Sequence, residues 1–188
     1  MSTKLAKKHT KKLIFVDTDS KKCYNFNKIN HGRQKTLKKY LVFSDIHGDA
    51  LAFEKLKELS KDFDGIIFAG DGYSSVKNMN DCEILAVGGN CDIGGPPEIV
   101  TEIEGVRLLI CHGHRYHVKS DMLSLTLRAR SLDCQAVIFG HTHIPLCSYE
   151  YGALYLNPGT CSRHGAQRTY AVLTLDKGEA RADIYKLF

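Results

Sequence analysis

From Tyr40 onward the chain repeats one pattern: a short apolar run that ends abruptly in polar, metal-competent residues. YLVFSD (40–45), GIIFAGD (65–71), EILAVGGN (83–90), VRLLICHG (106–113) and AVIFGHTH (136–143) all follow it. Apolar runs this short, rich in β-branched residues, have the length of buried strands rather than helices. Between the first two, Leu51, Phe53, Leu56 and Leu59 recur at near-helical spacing, and a second helix is expected near residues 120–132. Strands alternating with helices imply an α/β domain. The chain then becomes β-rich. EIVTEI (98–103) is expected to pair with the 106–113 run across Glu104 and Gly105, and LCSYE, ALYLN, TYAVLTL and RADIYKL read as further strands.

Polar groups at the carboxyl ends of strands lie where open α/β sheets place their ligand sites. In order, the motifs are Asp45-Ile-His47, Gly70-Asp71, Gly89-Asn90-Cys91-Asp92, His112-Gly-His114 and Gly140-His141-Thr-His143. They supply carboxylates, an amide oxygen and several imidazoles, a mixture that suits Mn²⁺, Fe or Zn²⁺ better than Ca²⁺. Taken singly, each residue has an ordinary reading: a packed or surface histidine, a helix-capping Asp71, a turn Asn90. Gly70, Gly89 and Gly140 read as spacers that permit tight turns near an ion.

These five motifs in this order, with the later Asn157-Pro-Gly-Thr160, resemble the calcineurin-like metallophosphoesterase superfamily, in its small bacterial and archaeal phosphodiesterase branch. The resemblance runs from about Tyr40 to the C-terminus. It implies a layered α/β/β/α sandwich and a metal-dependent hydrolase acting on a small or nucleotide-like phosphate ester. It also implies two divalent ions, Mn²⁺ first with Fe, Zn²⁺ or Ni²⁺ as alternatives. One would be held by Asp45, His47 and His143, the other by Asn90, His112 and His141, with Asp71 bridging. Asp71, Asn90, His112 and His114 are the implied catalytic residues, although His114 is also open to a merely solvated role. A bridging carboxylate sets two cations about 3.5–4 Å apart, close enough to share one phosphoryl group and acidify a hydroxide between them. His117 and His164 read as surface residues, and Arg163 as either a phosphate contact or a solvated side chain.

The chain departs from the wider superfamily at Cys91. Many members carry a histidine there, oriented by the following acid, that protonates the leaving group. A thiol is a poorer donor, which leaves Asp92 a structural role and favours substrates whose leaving group needs little protonation. Two other functions stay open: a metal-binding scaffold for protein contacts, as in the retromer-associated member, and an RNA-directed nuclease.

The nuclease reading rests on charge. Residues 1–39 hold 12 Lys/Arg against Asp17 and Asp19, a net +10 within a chain of net +5. The body from residue 40 to 188 is thus mildly acidic, which disfavours a long polyanion across it. The arm reads as a flexible basic leader or a hairpin of LIFV (13–16) and CYNFN (23–27). Seven cysteines without a CxxC pair suit a reducing cytoplasm, with Cys134 and Cys147 as small buried hydrophobes. No apolar run nears the roughly 20 residues of a membrane span. Oligomeric state is left open, a homo-oligomer being one option.

Overall fold

The computed structural model describes residues 37–79 and 82–188. The arm reading and its hairpin at 13–27 therefore lie outside the described residues, except that Lys38 and Lys39 open the first strand.

Among the described residues, ten strands form two five-stranded sheets. The first has the order β10-β9-β1-β2-β3, from β1 (Lys38–Phe43), β2 (Gly65–Phe68), β3 (Glu83–Ala86), β9 (Thr169–Asp176) and β10 (Glu179–Lys186). The second has the order β4-β5-β6-β8-β7, from β4 (Glu98–Ile103), β5 (Val106–Cys111), β6 (Ala136–Ile138), β7 (Leu146–Glu150) and β8 (Ala153–Asn157). The β4–β5 hairpin turns at Glu104 and Gly105 as expected, with Ile103 opposite Val106.

Side-chain alternation explains the layers. In β1, Tyr40 and Val42 point into a core shared with Leu108, Ile110, Ile138, Leu156 and Leu173, which fills the space between the sheets. Leu41 and Phe43 point the other way, onto Ala52 and Leu56 of α1 (Ala50–Leu59). On the far side, Leu109, Val137 and Tyr155 pack against Leu125 and Ala129 of α3 (Leu123–Ser131). The result is the expected α/β/β/α sandwich. Because central strands are covered on both faces, they read as continuous apolar runs. Leu56 and Leu125 are fully buried, and truncating either to alanine should cost about 2–5 kcal/mol.

Among the described residues, three short elements have no apolar periodicity to announce them: a 3₁₀ turn at Ser60–Asp62, α2 (Tyr73–Val76) and a 3₁₀ turn at His114–Tyr116. The second expected helix starts at Leu123 rather than near 120, because His117 adopts φ +55° and breaks the chain direction first.

Register aligns the strand ends that matter. Phe43, Phe68 and Ala86 lie side by side at the carboxyl ends of β1, β2 and β3. Ile110, Ile138 and Leu156 do the same in the second sheet. Every motif residue singled out above follows one of these ends.

Candidate metal centre

The β1–α1 loop is fastened to the end of β2 by backbone. Asp45 N–H donates to the Gly70 carbonyl at 2.9 Å, and the Ile46 and His47 amides donate to that of Asp71 at 3.0 and 3.2 Å. Asp45 is fully buried. Its Oδ2 accepts from the Ser44 hydroxyl at 2.6 Å and from the His141 amide at 3.0 Å. Its Oδ1 has no hydrogen-bond partner and lies 3.1 Å from His143 Nε2, 3.8 Å from His47 Nε2 and 3.9 Å from His112 Nε2. A buried carboxylate oxygen without a donor is costly, and the nearby ring nitrogens mark it as a cation position.

Asp71, equally inaccessible, divides its oxygens. Oδ1 accepts from the Cys91 amide at 2.8 Å. Oδ2 faces His112 Nε2 at 3.4 Å and His47 Nε2 at 3.7 Å. Burial alone would raise the Asp71 carboxyl, but the His112 ring and the Cys91 amide outweigh it and hold the pKa well below the usual carboxylate range.

His112 links the sheets. Its Nδ1 lies 2.6 Å from the Ala69 carbonyl, which can only accept, so Nδ1 carries the proton and Nε2 presents its lone pair in the neutral ring. That lone pair meets Asn90 Oδ1 at 3.2 Å and Asp71 Oδ2 at 3.4 Å. Three electron-rich atoms so close require a cation among them, a proton or a metal. Consistent with this, the His112 pKa is raised: burial opposes protonation, but Asp71 and Asp45 outweigh it. His141 and His114 respond oppositely. Burial and the His112 charge push His141 down to about 4, and they also lower His114.

The donors form overlapping groups, each with atoms within 4.8 Å of one another: Asp45, His47 and His143; Asp45, Asp71 and His112; His47, Asp71 and Cys91. His47 and His143 Nε2 are 3.3 Å apart. The His141 ring sits 5.0 Å from that of His112, and the His114 ring 5.4 Å from it, with His114 Nδ1 buried and without a hydrogen-bond partner. All seven sequence candidates for metal ligation thus gather at one end of the sandwich, with His114 beside them. His117, Arg163 and His164 are exposed, and Arg163 engages through its backbone amide, which donates to Asp49 Oδ2 at 2.9 Å.

Five of the seven candidates have left-handed backbone: Asp45 (φ +53°), His47 (+45°), Asp71 (+62°), His141 (+68°) and His143 (+62°). Only a few per cent of non-glycine residues do so, at a cost of about 1–2 kcal/mol each. Such geometry lets a side chain turn back over the end of its own strand.

Four supporting side chains, Asp92, Ser44, Thr160 and Asn157, make contacts that the sequence alone does not reveal. Asp92 gathers four backbone amides: those of Gly72 and Tyr73 on Oδ1, both at 2.9 Å, and of Asp71 and Gly89 on Oδ2, at 2.9 and 2.8 Å. Ser44 orients Asp45. Thr160 Oγ1 donates to the Asp45 carbonyl at 2.7 Å, while Asn157 braces the turn by donating to the Gly140 carbonyl at 2.9 Å. The Asn157-Pro-Gly-Thr160 motif was the one visible trace of this brace.

Residues 39–178 match the model of the calcineurin-like phosphoesterase superfamily domain. The chain is 31% identical to the Bacillus subtilis protein "Probable metallophosphoesterase YsnB" over 77% of its own length and 89% of that protein. It is 27% identical to the phosphodiesterase YfcE of Escherichia coli, over 73% and 88%. A crystal structure of a predicted phosphoesterase from Streptococcus pneumoniae superposes with TM-score 0.70 at 27% identity, covering 81% of this chain and 91% of the other. The chain belongs to the calcineurin-like phosphoesterase superfamily and is a metal-dependent phosphoesterase, a hydrolase, with clustered Asp and His side chains suited to holding metal.

Proposed function

We propose that this chain hydrolyses a small or nucleotide-like phosphodiester at a centre of two divalent ions. Asp45, His47 and His143 hold one ion, Asn90, His112 and His141 the other, and Asp71 lies between them. The observation that carries this reading is Asp45 Oδ1, fully buried and without a donor among three imidazoles. When bound, the two ions supply Lewis acidity, which lowers the pKa of water between them and polarises the phosphoryl oxygens. Mn²⁺ is the expected ion, with Fe, Zn²⁺ and Ni²⁺ as alternatives. The diester preference draws on the phosphodiesterase named among the relatives.

The protein's own part is positioning. The Ala69 carbonyl fixes the His112 tautomer that presents Nε2. Asp71 stays ionised across the physiological range. His114, neutral there because its pKa is lowered, offers a ring nitrogen to a phosphoryl oxygen without serving as a proton reservoir. No strong acid stands at the β3 end. All four Asp92 hydrogen bonds go to backbone, and partial burial together with the Asp71 and Asp92 carboxylates raises the Cys91 thiol. Leaving groups that depart without a proton are therefore favoured.

The test is Mn²⁺-dependent hydrolysis of bis(p-nitrophenyl) phosphate by wild type and Asp71→Asn, with bound metal measured in both. Activity in the wild type that is lost with metal in the variant supports the proposal. Stoichiometric metal without hydrolysis under any divalent ion would favour a scaffold instead.

A further inference from the structure

A cleft of about 370 Å³ opens between the start of α1 and the start of α2, lined by Ile46, Gly48, Asp49, Ala50, Phe53 and Ser75. None of these residues has a part in the two-ion assignment, yet both walls leave from it. Ile46 and Gly48 flank His47, and Ser75 follows Asp71 within the first turn of α2. The walls are joined at their base. The Ile46 amide donates to the Asp71 carbonyl at 3.0 Å, and a Cβ built on Gly72 would lie 2.2 Å from Ile46 Cγ2. At Gly48 the loop is open, because a Cβ built there would meet nothing within 4 Å. The cleft thus adjoins the metal centre on the side of His47.

Its chemistry selects the occupant. The buried Ile46 and half-buried Phe53 give it apolar walls. Its one charged side chain, Asp49, is already matched: Oδ1 accepts from the Ala52 amide, and Oδ2 from the Arg163 amide and the Arg168 guanidinium. No lining residue is a cation, so the cleft has nothing with which to hold a phosphate itself. An uncharged organic group finds apolar surface there and, at Ser75, a hydroxyl. The volume lies in the range of about 300–1,000 Å³ usual for small-molecule sites, which combine apolar walls with a few polar groups in this way.

We propose that this cleft is the subsite for the organic group of the substrate, and that it takes a flat, uncharged aromatic ring such as a nucleobase, stacked on Phe53 with its polar edge at Ser75. The proposal rests on the two-ion reading above and narrows its substrate to esters that carry such a ring. The metals would then hold the phosphate while the cleft recognises what the phosphate carries.

The experiment compares two diesters with the same p-nitrophenolate leaving group, thymidine 5′-(p-nitrophenyl phosphate) and methyl p-nitrophenyl phosphate, on the metal-loaded full chain. Wild type should favour the nucleoside ester in kcat/KM by about tenfold or more, the order of gain a stacked base supplies, with most of the gain in KM. Phe53→Leu keeps an apolar side chain but removes the ring, and Ser75→Phe fills the cleft from an exposed position. Both should lower that ratio by about fivefold or more. A wild-type ratio near one, or a ratio that Ser75→Phe leaves unchanged, would overturn the subsite and leave the two-ion reading standing. Hydrolysis of neither ester would instead defeat that reading. Thymidine binding to the wild type, measured by calorimetry and lost in Ser75→Phe, would then still uphold the cleft, and its absence would overturn the cleft as well.

Discussion

Thr160 donates its hydroxyl to the backbone carbonyl of Asp45 at 2.7 Å, joining positions 115 residues apart in sequence. The contact ties down the backbone of Asp45, which is left-handed at φ +53°. Thr160→Val keeps the shape but removes the donor. Leaving the carbonyl unsatisfied should cost about 1–3 kcal/mol, a fall in Tm of about 2–12 °C. Metal affinity should drop about 10- to 100-fold, as for other supports of ligating groups. Thermal denaturation and a metal competition titration would check both; unchanged affinity would show that the brace is only structural.

Gly89 passes directly under Asp71. A Cβ built there would lie 2.0 Å from Asp71 Oδ1 and 2.6 Å from its backbone nitrogen. Gly89→Ala should therefore push the carboxylate aside, and a displacement near 1 Å can cost about 10²-fold in rate. Steady-state hydrolysis of bis(p-nitrophenyl) phosphate, with circular dichroism as a control for folding, would show this.

Asp92→Asn distinguishes a scaffold residue from a proton relay. Whichever way the new amide is turned, its NH₂ faces two backbone N–H donors that the carboxylate oxygen had accepted. The loss should be about 3 kcal/mol or more, a fall in Tm of at least about 6 °C. A stable variant whose only change is a shifted pH–rate profile would contradict the structural role.

Asp49 supplies a pH signature. It caps α1 by accepting from the Ala52 amide at 3.0 Å, and its Oδ2 accepts from the Arg163 amide at 2.9 Å and from Arg168 at 2.8 Å. Burial would raise its pKa, but these donors outweigh it and lower the value in the folded protein. A folded pKa below the unfolded one adds stability above the unfolded value, about 3.9, and that stability is lost as pH falls through the folded value. Asp49→Asn keeps the cap, because Asn caps a helix as well as Asp, but it loses the charged acceptor facing Arg163 N–H and Arg168 and should thus be less stable at neutral pH by about 1–3 kcal/mol. Its stability should also fall less steeply below pH 4. Urea titrations between pH 2 and 7 would reveal the difference in slope.

Chelation should destabilise the wild type. An ion present at 100 times its Kd contributes about 2.7 kcal/mol of folding stability. Adding a chelator should therefore lower Tm by about 5–11 °C, and Asp71→Asn should lose little further. Equal shifts in the two proteins would place the ion elsewhere.

The strand ends were legible because a buried strand is apolar throughout and stops sharply, so Phe43, Phe68 and Ile110 announce the polar residues that follow. What brings those ends together was not legible. Pairing of β1 with both β2 and β9 depends on contacts far apart in sequence, which periodicity does not encode. Asp92 was readable as an acid but not as a collector of four amides, since residues 71–73 approach it only after β2 and β3 pair. α2 stayed hidden because Tyr-Ser-Ser-Val has neither length nor an apolar stripe. The nitrogen used by His112 likewise depends on the Ala69 carbonyl, 43 residues upstream.

The left-handed residues at the centre carry one more consequence. Glycine adopts that conformation without the steric cost that Asp or His carries. At Asp45, His47, Asp71, His141 and His143, exchange for glycine should therefore relieve strain in the metal-free protein even as it removes a ligand. A population of variants selected only for heat resistance in a chelating medium would accumulate changes at these positions and erode the hydrolase, so engineering of this chain must select for stability and turnover together.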